Sequence, residues 1–263
     1  MKVPEKVKRR LESIKDDKEK GASELVIEVI EVFREYILLD ESLEKEKIDE
    51  LVKIVSQIRP SMFPLSNHAK RLGKLLCNRK KSEALKVISY YIEEVKEKKE
   101  KIIKNAGFLK DSSIITCSYS SIVKGFIEKF IDKLKKVVVC ESKLGNISYG
   151  KKYLKIHSPK IVVIADDEID NFSDADCGII GADGVTSEGN IINGKPSLKM
   201  CSRLNNLRKP VWVITGLDKF GNNCQILEEE FDLIPANLIK GFITECGTLG
   251  FEKFCSIASS IYR

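Results

Sequence analysis

No apolar run in this 263-residue sequence approaches the ~20 residues needed to cross a bilayer, so no segment reads as a transmembrane helix. The stretch from Met1 to Lys20 is charged and periodic and has no apolar core of a secretory leader, which makes the cytoplasm the expected compartment. Histidine is scarce, with only His68 and His157 present. The eight cysteines (Cys77, Cys117, Cys140, Cys177, Cys201, Cys224, Cys246 and Cys255) form no CxxC pair and none lies beside a histidine. This pattern argues against structural zinc and against a disulfide framework, and reduced thiols acting as small hydrophobes are expected. The G-x-G-x-x-G fingerprint is missing too, so a nicotinamide cofactor is not supported and no cofactor is expected.

Charge of one sign is not concentrated either. The net charge is +6, with 25 basic and 20 acidic residues in 1–105 against 20 and 19 in 106–263. The excess is spread through helices without interleaved aromatics, which reads as solvated surface and not as a nucleic-acid footprint. Small anionic ligands remain compatible with it. With 43% hydrophobic and 32% charged residues, the chain has globular composition and can bury a core.

What the sequence does have is periodicity. Over the first 105 residues, apolar positions recur at the 3.6-residue spacing of helices. Leu25, Val26, Val29, Ile30, Phe33 and Ile37 form one stripe, with Ser23 the expected N-cap and Glu24 and Glu28 near the positive end. Ile48, Leu51, Ile54, Val55 and Ile58 form a second, closed by Pro60. A third covers 83–104, with Leu85, Ile88, Tyr91, Ile92 and Val95 facing inward.

Past Asn105-Ala106-Gly107 the pattern changes to short apolar runs: Ile114–Cys117, Val137–Cys140, Ile161–Ala165, Gly178–Gly181, Val211–Thr215 and Gly241–Thr244. Such runs suit parallel strands buried on both faces, and the first three links, about 20, 20 and 12 residues long, suit helical crossovers. The expected fold class is α/β, an N-terminal helical domain (1–105) followed by a Rossmann-like, mainly parallel-sheet domain (106–263).

Ligands of such sheets sit beyond the carboxyl ends of the strands. That rule selects Ser118–Ser121, Glu141–Lys143, Asp166–Asp167, Asp183 and Asp218–Lys219, a set able to hold a phosphorylated polyol, with Lys on phosphate and Asp on a hydroxyl. Ser120 and Ser121 are expected to cap a helix running to about Leu134, whose N-terminus would also bind phosphate. Gly181 reads as a close backbone approach, Asp176 as an organiser of the loop before its strand, and Glu141 as either pocket or structural.

Several segments, in order, resemble one family. Lys20-Gly21-Ala22-Ser23 resembles its Arg-Gly-Ala segment, and Arg59-Pro60-Ser61…Leu65-Ser66-Asn67 its Arg-Pro-Thr…Leu-x-Asn segment. Ile115-Thr116-Cys117-Ser118-Tyr119-Ser120 resembles Leu-Thr-His-Ser-Tyr-Ser, and Cys140-Glu141-Ser142-Lys143 stands where the family has Thr-Glu-Thr-Arg. Gly181-Ala182-Asp183 with Gly189 and Asn193, then Asp218-Lys219-Phe220, Phe231–Pro235 and Ile243–Gly247, resemble the remaining blocks. The family comprises the alpha, beta and delta regulatory subunits of translation initiation factor two-B, with ribose-1,5-bisphosphate isomerase and methylthioribose-1-phosphate isomerase as relatives.

In the isomerases the resemblance implies a Cys proton acceptor and an Asp proton donor. Asp183 matches the donor, whereas Ser118 stands at the acceptor position. A hydroxyl is a far weaker acid than a thiol. Cys117 is adjacent and reaches the pocket only if the chain has already turned out of its strand. The resemblance further implies that Lys20, Gly21, Ala22, Ser23, Arg59, Ser120, Ser121, Lys143, Asn193, Lys195 and Lys219 hold ligand or phosphate. Lys20 and Lys143 replace arginines, keeping charge but losing the bidentate fork. Asn193-Gly194-Lys195-Pro196-Ser197 displaces the family's lysine by one place.

The reading that follows is a regulatory protein with a pocket for a sugar phosphate or nucleotide monophosphate. The alternatives are an aldose–ketose isomerase acting on a phosphorylated pentose, and a scaffold with a vestigial pocket. The resemblance also implies at least a homodimer and an initiation factor 2 subunit as a further partner, with no direct nucleic-acid or membrane binding. Apolar residues of Lys240–Tyr262 suit either the self-contact or the core.

Overall fold

A computed structural model describes residues 3–39, 43–221 and 228–262, so Cys224 lies outside the described residues. Helices α1 (Glu5–Asp16), α2 (Ala22–Leu39), α3 (Lys45–Ile58), α4 (Phe63–Leu76) and α5 (Lys81–Asn105) come first. α2, α3 and α5 carry the three predicted stripes. α2 lies in contact with α1, α4 and α5, and Val29, Ile30, Val32, Phe33, Tyr36 and Ile37 are fully buried. Burying each such large side chain contributes about 1.5–3 kcal/mol.

Ser23 does not cap α2. The Gly21 carbonyl accepts from Glu24 N and Leu25 N at 2.9 and 3.1 Å, and the Glu24 carboxylate reaches back to the Gly21 N–H at 3.1 Å. That reciprocal closure is a capping box with glycine at the cap, which leaves the Ser23 side chain free of the role.

The second half contains β1 (Ser113–Thr116), α6 (Ser121–Phe130), β2 (Lys136–Cys140), β3 (Lys143–Leu144), β4 (Ile147–Ser148), β5 (Ile161–Ile164) and β6 (Cys177–Ile180). It continues with β7 (Gly184–Val185), β8 (Ile191–Gly194), α7 (Ser197–Asn206), β9 (Val211–Ile214), β10 (Phe231–Ile234), β11 (Gly241–Thr244), β12 (Gly247–Leu249) and α8 (Phe251–Tyr262). The six predicted runs are six parallel strands of one sheet, ordered β12-β11-β9-β6-β1-β2-β5, with only β12 antiparallel. β7, β8 and β10 form a separate antiparallel sheet.

Of the first three links, only β1 to β2 crosses by an α-helix, α6. β2 to β5 uses the β3–β4 hairpin and a 3-10 segment at Gly150–Ile156, and β5 to β6 uses a 3-10 turn at Glu168–Asn171. Gly145 supplies the positive φ (56°) of the hairpin turn. In α8, Phe254 and Ala258 are buried, so part of the predicted contact segment is core.

The chain winds outward from β1 through β2 to β5, then returns to the other side of β1 with β6, β9 and β11. The order therefore reverses between β1 and β6, and a crevice opens at their carboxyl ends. Ser118 follows β1 and Asp183 follows β6.

Asp218 ties the helices to this sheet. Its carboxylate takes the His68 Nε2 at 3.1 Å and the ammonium of Lys98, which also meets Glu245 at 3.1 Å. His68 Nδ1 lies 2.7 Å from the Tyr91 hydroxyl. The tautomer with the proton on Nε2 satisfies both partners. Asn67 Nδ2 donates to the carbonyls of Asp218 and Phe220, each at 2.7 Å, and so clasps the chain on both sides of Lys219. Burial would push the Asp218 carboxyl up, but Lys98 and His68 outweigh it and hold it well below the usual range. Burial keeps His68 neutral by pushing its pKa down against Asp218.

Asp218→Asn should therefore lower unfolding stability by about 1.5–3 kcal/mol at pH 7 in a urea melt, since it takes away the charged partner of Lys98 and His68 and leaves Lys98 with Glu245. The Asp218 carboxyl is more acidic folded than unfolded. Its contribution is thus complete above about pH 5 and is lost as pH falls through about 4 and below. The variant's melting temperature should change less than the wild type's over that window.

Candidate functional site

Ser118 leaves β1 in the left-handed region (φ 59°), with its N–H donating to Ser142 Oγ at 2.6 Å. Ser142 is left-handed as well (φ 52°) and is pinned by the Asp166 carboxylate, which accepts its N–H at 2.7 Å. Non-glycine residues at positive φ cost energy, so the surrounding bonds must over-determine this turn. Here the turn separates two neighbours. Ser118 lines the cleft, while Cys117 is buried with its Sγ 3.1 Å from Ser197 Oγ. Burial pushes the Cys117 thiol up to about 12.

A small inner pocket is walled by two helix N-termini. One is Gly21, Ala22 and Ser23 at the start of α2, the other Ser120 and Ser121 at the start of α6. Ser120 caps α6, accepting from Val123 N at 3.4 Å. The two helix starts converge and bring two positive dipole ends to one space, a setting suited to an anion. Asp183, Asn193 and Lys219 complete the wall. Asn193 Nδ2 is fixed by Ser197 Oγ at 2.7 Å. Lys219 is 2% exposed; burial lowers its pKa while the carboxylates of Asp218 and Asp183 oppose that shift.

The outer cleft, about 540 Å³, continues from the inner pocket. Gly21, Tyr119 and Asp183 line both. Lys20, Arg59, Ser118, Lys143 and Lys195 line the outer part. The thirteen residues named as catalytic or ligand-holding candidates each line one or both of these adjoining spaces. Asp183 sits where they meet, half-buried, accepting the Ala22 N–H. Burial raises the Asp183 carboxyl above its ordinary value, against the charges of Lys219 and Arg59.

Five residues chosen by the strand-end rule do other work or lie elsewhere, among them Ser142, whose Oγ accepts the Ser118 N–H. Asp218 turns toward the helices, and Asp166 binds the main chain of Ser142 and Lys143. Glu141 pairs with Lys151 at 3.0 Å, and Asp167 lines neither space. Asp176 accepts the Ser113 N–H at 2.8 Å and so orders its loop. The strand-end rule took in Tyr119 without a ligand role, and the reading passed over Glu19, which immediately precedes a quoted motif, and Asp17 just before it. Phe231, the first residue of another quoted block, also lines the cleft, as do Tyr149 and Glu230, and nothing in the local pattern of those two signals it.

These features sit within wider similarity. The profile of the initiation factor 2 subunit family matches residues 18–230. A translation initiation factor eIF-2B subunit 2-like protein of Pyrococcus furiosus is 31% identical over 274 aligned positions, covering 94% of this chain and 97% of that protein. The crystal structure of a Pyrococcus horikoshii translation initiation factor eIF-2B superposes with a TM-score of 0.83 at 25% identity, covering 95% of this chain and 99% of that one. The 5-methylthioribose 1-phosphate isomerase of P. horikoshii shares the fold, with a TM-score of 0.72 at 16% identity over 97% of this chain and 88% of that one.

Gly181 is where backbone alone fits: a Cβ there would stand 2.6 Å from both Cβ and Oγ of Ser120. Gly181→Ala should displace the α6 cap and destabilise the chain by about 1–3 kcal/mol, read from urea unfolding. A matched Gly250→Ala, where a Cβ meets nothing within 4 Å, should have little effect.

Proposed function

Because the chain belongs to the initiation factor 2 subunit family, we propose that it is a regulatory member of that family whose pocket binds a phosphorylated small molecule without isomerising it. The observation that carries this reading is the pairing of Asp183 with a hydroxyl in place of a thiol. Shifting a proton between adjacent sugar carbons needs an acceptor and a donor. Asp183, its carboxyl raised by burial, suits the donor. Ser118 is a poor acceptor unless a base deprotonates it. Neither imidazole serves: His68 is committed to Tyr91 and Asp218, and His157 is exposed and lines neither space. The neighbouring thiol of Cys117 is turned into the core and held protonated.

What remains favours binding. Two helix starts, the hydroxyls of Ser120 and Ser121, and Lys219 supply donors and positive charge for a phosphate. A sugar phosphate or nucleoside monophosphate is the ligand class that fits. Self-association and an initiation factor 2 subunit as partner belong to the same reading. Val162, on the edge strand β5, is 43% exposed and available for a contact between copies.

Incubation with ribose-1,5-bisphosphate or methylthioribose-1-phosphate should give no ketose above background by proton NMR. AMP or ribose 5-phosphate at a hundredfold excess over Kd should add about 2.7 kcal/mol to stability, a rise of roughly 5 °C or more in melting temperature. Turnover that Asp183→Asn abolishes would establish the isomerase instead. Unchanged melting with every phosphate tried would leave only a scaffold.

A further inference from the structure

The geometry points to selection for a single phosphate: Glu230, with Glu228, holds Arg59 where a second phosphate of a bisphosphate ligand would otherwise bind. This rests on the phosphate-pocket reading above and narrows its ligand to monoesters.

Arg59 is the one guanidinium among the described residues lining the pocket, and it is 6% exposed. Free, its fork would grip a phosphate through two parallel bonds. Here the fork is occupied by the chain itself. Nη1 donates to the Asp17 carbonyl at 2.6 Å and Nη2 to Glu230 Oε1 at 3.1 Å, while Nε lies 3.6 Å from Glu228 Oε1. One flat side of the group faces the Phe231 ring at 5.9 Å.

The main chain of both glutamates is held in place. The Glu230 carbonyl accepts from Lys195 N at 3.0 Å, and the next residue pairs with Gly194 in the β8–β10 ladder. Glu228 donates its N–H to Ser61 Oγ at 3.4 Å, and neither of its carboxylate oxygens has a hydrogen-bond partner. Arg59 is the cation near them. A phosphate that took Arg59 would strand two carboxylates beside a new dianion, and uncompensated charge of that kind is costly.

The other outer cations do not replace it. Lys20 is shared between Glu28 at 2.9 Å and Asp17 at 3.5 Å. Lys18, Lys143 and Lys195 are exposed, where a single ion pair is worth about 0–1 kcal/mol. The inner pocket, in contrast, collects two helix starts and Lys219 around one small space. The phosphate therefore goes inward. The outer cleft, with carboxylates, carbonyls and hydroxyls on its wall, receives a neutral hydroxyl-bearing body.

Calorimetric titration of the full chain with ribose 5-phosphate and with ribose-1,5-bisphosphate tests this. In the wild type the bisphosphate should bind no tighter than the monoester. Glu230→Gln should shift the ratio of the two dissociation constants about tenfold toward the bisphosphate, whereas Glu229→Gln, at an exposed neighbour, should not. A wild-type preference of tenfold or more for the bisphosphate overturns the inference and leaves the pocket reading standing, and that comparison decides even if the variant does not fold. A ratio indifferent to Glu230→Gln in folded protein also overturns it. If neither ligand binds the wild type, the pocket reading fails and the selection falls with it.

Discussion

The buried carboxylate of Asp218 is the constraint from which the rest of the arrangement follows. It is one of the few charged groups sealed between the helices and the sheet, and it is tolerable there because an ammonium, an imidazole and a carboxamide converge on that short stretch. Those three groups come from α4 and α5, so the position of both helices on the sheet is set by polar contacts with defined geometry and not by apolar packing alone. α2 packs on α4 and α5 in turn, which carries Gly21–Ser23 to the crevice between β1 and β6. The next residue along, Lys219, faces the pocket. A single turn of chain thus fastens the two halves with one side chain and serves the pocket with the other.

On the proposed reading, the pocket would hold an anion without a dense cationic patch. Two helix starts bring positive dipole ends to it, and of the cations around them Lys20 and Arg59 are paired with carboxylates. This is why the net charge of the chain says so little about its ligand. A near-neutral surface and a site for a dianion are compatible when the positive potential comes from aligned peptides.

Much of this was legible in the sequence. Runs rich in Val and Ile fixed the strands, because β-branched side chains buried on both faces leave no polar alternation. The rule that ligands collect at carboxyl ends then found Ser118, Asp183 and Lys219. What escaped was contact over long separations. Asn67 reaches a residue 151 positions away and Arg59 one 171 positions away. Periodicity tells which face of an element is buried and is silent on its partner. For the same reason Asp218 could not be told apart from Lys219, its pocket-facing neighbour. Ser23 misled because a hydroxyl beside a helix start is a good cap in isolation, and the Glu24 carboxylate took the role through Gly21. The crossovers after β2 and β5 were long enough for helices but hold a hairpin and 3-10 turns; length permits a helix without requiring one.

The helix α5 belongs to both halves. Its first turns pack Ala84, Ile88, Tyr91 and Ile92 into the helical cluster, while Ile102 and Ile103 near its end join the cluster under β1 and β2. At 1.5 Å per residue its 25 residues form a rod of roughly 37 Å. Dissecting the gene at the visible change of pattern after Asn105 would therefore sever no natural seam. The upstream piece would keep a sticky, unclothed helix end, and the downstream piece would lose the lid over its own sheet.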